Sequence, residues 1–418
     1  MDILSSEVNI MKELHTGNYY WNTFHTKKTE WSTLDKDLTT KVLIVGGGMS
    51  GMLMAYKLHE QGIDFVLLEG DQIAEGSSLA STGLLQYCND IMLSELRSAI
   101  GREKADTFYR YCYRALDKLK HIASNVQQYV GDAHFRSRTS MQYSSNDEDI
   151  VKLQQEYEAL LSLDFPCELW GSHQIQQHFP FSKGTGLVTH GDAEVNPHLF
   201  VLSLAQYLTE QGCHLYEQSI VSDHERLSND KYHVTVNDIH KVDAEYIVYA
   251  VGYQPEQLHQ KLFHSTLNRS YVIVTNPVAD LSSWHEKYML WETARPYLYL
   301  RTTLDNRIIV GGLDETTQTP NHNTASVDAH NHKLLDELHK LFPDYDLKID
   351  YNWNATFAET ADQLPYLGVD PEDEHIMYIL GYGGNGTVSS MLGAELLTNI
   401  ICGSGTMNDL AEIVKLDR

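Results

Sequence analysis

Two rhythms of apolar residues divide this chain. Runs that are continuous, or that alternate over a few positions, predict strands at Val42 to Val45, Phe65 to Leu68, His214 to Val221, Tyr232 to Asn237 and Tyr246 to Tyr249. Further strands are predicted at Tyr271 to Thr275, Tyr297 to Thr302, Arg307 to Val310, Tyr351 to Phe357 and Ile376 to Leu380. Apolar residues at helical spacing, such as Leu93, Leu96 and Ile100 or Leu116, Leu119 and Ile122, predict helices from Ile91 to about Val130 and from Asp147 to Leu161. Two more helices, Leu199 to Glu210 and Val327 to Leu341, are stopped by Gly212 and Pro343, and a last one runs from Val388 to Ile401. Residues 1–40 carry no clear period and are expected to lie over the surface as an arm, while Phe179 to Pro197 reads as turn-rich.

Strand, glycine turn, helix and strand follow one another between Val42 and Glu69. Gly46, Gly48 and Gly51 meet three separate demands of a dinucleotide: a tight turn, close approach of backbone to pyrophosphate, and close packing of helix on strand. The helix they open directs unpaired N–H groups and a positive dipole end at phosphate. Glu69, ending the second strand, is placed to accept from the ribose hydroxyls and would repel a 2′-phosphate, which disfavours NADP and leaves NAD and FAD. The alternating pattern then breaks off into helices and antiparallel strands, so the distal ring needs another holder. The turn Gly381 to Gly386 opens the last helix toward a ring that becomes negative on reduction, as a flavin does. The small-residue stretch Glu75 to Thr82 likewise lets backbone approach a bound ring.

Composition narrows the partners. With 57 acidic against 31 basic residues the formal net charge is −26, so a nucleic-acid backbone would meet repulsion. The N-terminus lacks the basic start and apolar core of a secretory signal and no stretch is apolar enough to span a bilayer, so a cytoplasmic location is expected. The five cysteines are scattered and without a CxxC pair, which argues against a disulfide framework or a zinc site. Asp328, His330 and His332 lie close together without metal-site spacing and read as a solvated polar loop.

The motifs at 42–51, 67–69, 191–197, 248–252, 307–312, 357–368 and 381–386, in this order, resemble FAD-dependent oxidoreductases of the D-amino-acid oxidase superfamily, which holds glycine oxidase and sarcosine oxidase. The resemblance covers nearly the whole chain. It implies an α/β fold: a discontinuous Rossmann-like FAD-binding domain (41–96, 183–262 and 355–418) beside an α+β substrate domain on an antiparallel sheet (97–182 and 263–354), with 1–40 as the arm. It places Gly46, Gly48, Met49 and Ser50 at the pyrophosphate, Glu69 on ribose, and Ser77, Ser78, Ser81, Thr82, Gly83 and Leu84 along pyrophosphate and isoalloxazine. Val221 meets adenine, Ala250 and Gly252 close over the nucleotide, and Gly384, Asn385, Gly386 and Thr387 lie beside the flavin. The FAD is expected to be non-covalent, since neither flavin loop carries a histidine or cysteine tether.

The implied reaction is oxidation of a C–N bond in a small amine or amino acid by hydride transfer to flavin N5, followed by imine hydrolysis and reoxidation by oxygen or another acceptor. A dehydrogenase with a quinone or protein acceptor, and a scaffold keeping FAD structurally, are the alternatives. Arg301 is the candidate grip for a substrate carboxylate because guanidinium offers a planar bidentate fork, although a one-residue slip in register would point it elsewhere. Tyr271, Tyr299 and Tyr382 are candidates for the pocket wall, with Tyr299 and Arg301 sharing a strand face.

Overall fold

Val42, Leu43 and Ile44 expose no surface, and all four residues of Phe65–Leu68 are buried. Val42, Ile44, Phe65 and Leu67 pack among helix residues such as Met52 and Leu204, while Leu43, Val66 and Leu68 pack against the strand residues Tyr232 and Val234, and burial on both faces explains the unbroken rather than alternating apolar runs. The computed structural model describes residues 13–24, 30–228, 231–253, 263–381 and 383–418. Among them the strands form an eight-stranded and a ten-stranded sheet.

The eight-stranded sheet runs β17 (Tyr366–Asp370), β18 (Asp373–Leu380), β11 (His240–Tyr249), β2 (Leu38–Val45), β3 (Phe65–Leu68) and β8 (His214–Tyr216), with β10 (Tyr232–Val236) and β9 (Val221–Arg226) attached to β11. Its centre, β18 to β8, is parallel, and β17, β10 and β9 are antiparallel additions. Helices α1 (Met49–Glu60), α7 (Pro197–Glu210) and α9 (Gly386–Ile401) cover it with Met52, Leu53, Leu204 and Leu396, all fully buried.

The ten-stranded sheet runs β1 (His15–Asn18), β16 (Ile349–Thr360), β12 (Ser265–Thr275), β15 (Ile308–Thr316), β14 (Tyr299–Thr302), β13 (Met289–Glu292), β5 (Arg136–Tyr143), β7 (Thr185–Glu194) and β4 (Leu84–Leu85), with β6 (Cys167–Gly171) on β7. All its pairings are antiparallel except β13 with β5. One face of β12 packs Tyr271 and Ile273 against Leu334 and Leu338 of α8 (Thr324–Leu341). The other face packs Val272 and Val274 with Tyr20, Trp21, Trp353 and the short helix α2 (Ser77–Ala80). The remaining helices are α3 (Leu93–Ile100), α4 (Arg102–Val126), α5 (Glu148–Leu161), α6 (Ser172–His178) and α10 (Asn408–Val414).

Several elements depart from the sequence reading. The supposed turn-rich stretch contains β7, whose buried positions include Thr189, Asp192 and Glu194; polar residues satisfied inside the sheet erased its period. The helix expected from Ile91 to Val130 breaks at Gly101, whose φ of 89° separates α3 from α4. The run His214 to Val221 ends after Tyr216, where Gln218 turns left-handed at φ 50°, and Val221 begins a separate strand. Ser77–Ala80, read as loop, closes a helical turn. The N-terminal segment is not a surface arm in its described part: β1 pairs with β16, and Tyr20 and Trp21 are 2% and 1% exposed. Its few apolar residues are large aromatic ones, which bury by volume rather than by repeat. His330 and His332 lie on α8 and each bonds a carbonyl of its own helix, Ser326 O at 2.8 Å and Asp328 O at 2.7 Å.

Candidate cofactor and active site

The chain leaves β2 for β3 on one side, while β11 lies on the other, so the strand order reverses between β2 and β11. A crevice at the C-terminal ends of the strands follows from that reversal. Here it is a cavity of about 660 Å³. Gly46 at its floor has φ 114°, and a Cβ there would stand 2.4 Å from Ala250 O. A Cβ on Gly51 would stand 1.9 Å from Gly46 O, so this glycine lets α1 seat against the turn. The helix N-cap is Gly48, without a side chain of its own to cap and without an acid in the first turn; Met49 N donates to Ser78 Oγ at 2.9 Å, and the helix end otherwise faces the cavity. Glu69 lines the same end. Its Oε2 accepts from Gly47 N at 2.6 Å and its Oε1 from Asp71 N at 2.8 Å, while burial pushes its carboxyl up from the ordinary value.

Helix α9 brings a second open N-terminus to the other end. Its N-cap residue Asn385 makes no capping bond and instead donates to Gln86 O at 2.6 Å and Asn89 Oδ1 at 3.1 Å. Asp90 accepts from Gly384 N at 2.7 Å and from the Tyr297 hydroxyl at 2.9 Å. The first turns of α1 and α9 are joined by the Ser50 and Ser390 hydroxyls, 2.8 Å apart. The two positive helix ends therefore serve one cavity.

Between these ends runs the segment 75–82, and four of its carbonyls are each held by a side chain from the ten-stranded sheet or the N-terminal segment. Glu75 O accepts from His15 Nε2 (2.9 Å), Ala80 O from Trp353 Nε1 (2.8 Å), Ser81 O from Trp21 Nε1 (2.8 Å) and Thr82 O from Arg301 Nε (2.8 Å). A carbonyl only accepts, so His15 carries its proton on Nε2 and its Nδ1 accepts from the Tyr19 hydroxyl at 2.6 Å. Burial pulls His15 down from its ordinary value and favours this neutral form. With the carbonyls fixed, Ser77, Ser78, Ser81 and Thr82 line the cavity.

Of the residues singled out from sequence, Gly46, Gly48, Met49, Ser50, Glu69, Ser77, Ser78, Ser81, Thr82, Leu84, Val221, Ala250, Gly252, Gly384, Asn385, Gly386 and Thr387 line this one cavity. Gly51 and Gly83 stand one layer behind; a Cβ on Gly83 would lie 2.1 Å from Val195 O. Tyr299 lines the wall. Tyr271 does not: alternation along β12 turns Ser270 and Val272 to the cavity and Tyr271 to α8, where it stacks on His330 at 3.9 Å and donates to Glu315 at 2.9 Å. Tyr382 lies outside the described residues.

Arg301 shares the face of Tyr299, as the strand period requires, yet it ends beneath the cavity rather than in it. Its Nη2 donates to Val195 O at 2.9 Å and its Nη1 lies 3.3 Å from Glu194 Oε2, with Trp21 over the guanidinium at 5.3 Å. The fork is committed to Glu194 and to backbone carbonyls of the protein and does not reach into the cavity. Residues not found from sequence complete the far wall: Asp90, Ser270, Trp291, Tyr297 and Asp314. The paired glycines Gly311 and Gly312 just before Asp314 were the available signal, since glycine inside a strand marks a bulge or a close approach.

A reversed parallel sheet with a glycine turn at each end of one long cavity, walled by an antiparallel sheet, defines a dinucleotide-binding fold. Residues 41–400 match the family described as FAD dependent oxidoreductase, DAO, and the chain belongs to that family. It is 24% identical over 405 residues to gamma-glutamylputrescine oxidoreductase of Escherichia coli, covering 94% of this chain and 91% of that protein. It is 20% identical over 387 residues to glycine oxidase of Bacillus subtilis, covering 90% and 97%. The crystal structure of glycine oxidase from Geobacillus kaustophilus superimposes with a TM-score of 0.78 at 19% identity, covering 91% of this chain and 99% of that one. FAD is the cofactor, and the residues present fit it: two helix N-termini facing one cavity, glycines where a Cβ would strike backbone, and the carboxyl of Glu69 beside the first glycine turn. No helix among the described residues is long and apolar enough to cross a membrane.

Proposed function

We propose that this FAD-dependent oxidoreductase oxidises a C–N bond of a small amine or amino acid, passing the electrons on to oxygen or another acceptor. The observation that carries the reading is the continuation of the nucleotide cavity past Gly384 to Thr387 into a space walled by Ser270, Trp291, Tyr297, Tyr299 and Asp314. A small donor lying there is beside the ring end of the cofactor. The relatives named above are, by their names, an oxidoreductase and an oxidase of amine-bearing compounds, which supports the same substrate chemistry.

When bound, FAD supplies the two-electron oxidation. The chain supplies the rest. Gly46, Gly48 and the open end of α1 hold the pyrophosphate, Glu69 takes the ribose, and α9 places its positive end where charge develops on reduction. Arg301, Trp21 and Trp353 position the segment 75–82 rather than the substrate. The half-buried rings of Tyr297 and Tyr299 line the space beside the reacting carbon and limit the water that reaches it.

The test is anaerobic. The purified holoprotein is mixed with alkylamines and amino acids while flavin absorbance is recorded. Bleaching by such a donor supports the reading, and an oxidised spectrum that no donor moves overturns it. Admitting air afterwards and assaying peroxide separates oxygen from another acceptor.

A further inference from the structure

Strands β12 and β15 pair out of step. Arg269 faces Glu315 and Tyr271 faces Gly312, so Ser270 stands opposite two residues, Leu313 and Asp314. Leu313 absorbs the extra residue with a left-handed φ of 59°. The bulge reverses which face each later residue takes. Gly311 lies under the Tyr299 ring on the cavity side, Glu315 accepts from Tyr271 on the α8 side, and Asp314 lines the cavity. A regular strand would have turned Asp314 toward α8.

Asp314 Oδ1 is buried there without a hydrogen-bond partner. A buried carboxylate oxygen in that condition is costly unless a ligand completes it. Burial pushes the Asp314 carboxyl up to about 6; Glu359 and Asp90 add to the rise, and the Ser270 hydroxyl and Arg295 oppose it. Three rings wall the same space. Tyr297 meets Trp291 at 6.0 Å and 72° and Tyr299 at 5.8 Å and 60°. Aromatic faces beside a carboxylate are the elements of a site for an organic cation.

At its ring end the cavity offers an anion no basic side chain among the described residues. Among the described residues lining it there is no lysine or arginine, and its acids are Glu13, Glu69, Asp71, Glu75, Asp90 and Asp314. Arg301 is committed beneath the floor. Arg295 lies outside, over the Tyr297 ring at 4.7 Å and 3.6 Å from Asp90, and its side chain is 49% exposed. We propose that Asp314 with the Tyr297 and Tyr299 rings forms a subsite for an organic ammonium group, so that the substrate is an amine carrying no carboxylate beside its reacting nitrogen. The identity of that substrate rests on the oxidation proposed above; the binding preference does not.

The test titrates the holoprotein anaerobically with butylamine and with butyrate, following both the heat of binding and the flavin spectrum. Butylamine is expected to bind at least about tenfold more tightly than butyrate, and Asp314→Asn, at unchanged FAD content, to remove most of that difference. Tyr299→Leu, expected to weaken butylamine severalfold, serves if the aspartate variant does not fold. Butyrate binding as tightly as butylamine, or a preference unmoved by either substitution, overturns the subsite. Ammonium-selective binding without bleaching keeps the subsite and sinks the oxidation. Bleaching by amino acids with no binding of butylamine keeps the oxidation and sinks the subsite.

Discussion

Arg301 and Glu194 form an ion pair inside the protein, with Nη1 3.3 Å from Oε2 and side chains 3% and 1% exposed. The pair ties β14 to the end of β7 directly under the cofactor segment, and Glu194 also binds Arg138 at 2.7 Å. Removing Arg301 leaves Glu194 with Arg138 alone and takes the donor from the carbonyls of Thr82 and Val195, each buried acceptor left unpaired costing about 1 to 3 kcal/mol. Arg301→Ala is therefore expected to lower the thermal midpoint and the FAD content together. A variant with normal stability and flavin content but a raised KM would show instead that the arginine grips substrate.

Gly46 and Gly51 meet backbone, not movable side chains, where a Cβ would go. Gly46→Ala adds a left-handed φ to the collision, a strain of about 1 to 3 kcal/mol before any clash is relieved. Both alanine variants are expected to purify without yellow colour. The ratio of flavin to protein absorbance measures this directly, and full occupancy in either would contradict the packing described.

Trp21, from the N-terminal segment, donates one indole hydrogen bond to Ser81 O. Trp21→Phe keeps most of the buried ring and loses the bond, worth about 1 kcal/mol. FAD dissociation measured by fluorescence is expected to become roughly fivefold more favourable. An unchanged dissociation constant would mean that the segment 75–82 is held without the N-terminal segment.

Asp314 gives a pH dependence with a definite sign. Its carboxyl is raised from 3.8 to about 6, so between these values the folded chain holds a proton that the unfolded chain has released. That contribution to stability is complete below the ordinary value and is lost as pH rises through about 6; Asp192, also raised to about 6, acts the same way. Urea unfolding at a series of pH values is expected to show Asp314→Asn losing part of the decline between about pH 4 and 6. Butylamine binding should strengthen through the same range as the carboxylate forms, and a flat profile would remove Asp314 from the subsite.

The first glycine turn, Glu69 and the turn before the last helix were legible in sequence because each demand is local: a φ, a spacing, a helix start. Continuous apolar runs gave the parallel strands for the same reason, since burial on both faces needs no partner to be named. Tertiary structure decided what depends on register. Tyr271 and Ser270 trade faces by one position, Arg301 stops under Thr82 and Val195 instead of entering the cavity, and a single bulged residue delivers Asp314 to the wall. The aromatic N-terminal segment has no period, so only the sheet edge of β16 and the carbonyls of segment 75–82 give it a place. Sequence by itself determined the two glycine turns and the acid that meet in one cavity. Which side chains face the ring end was settled by long-range strand pairing, whose two-residue period turns a shift of one position into a change of side.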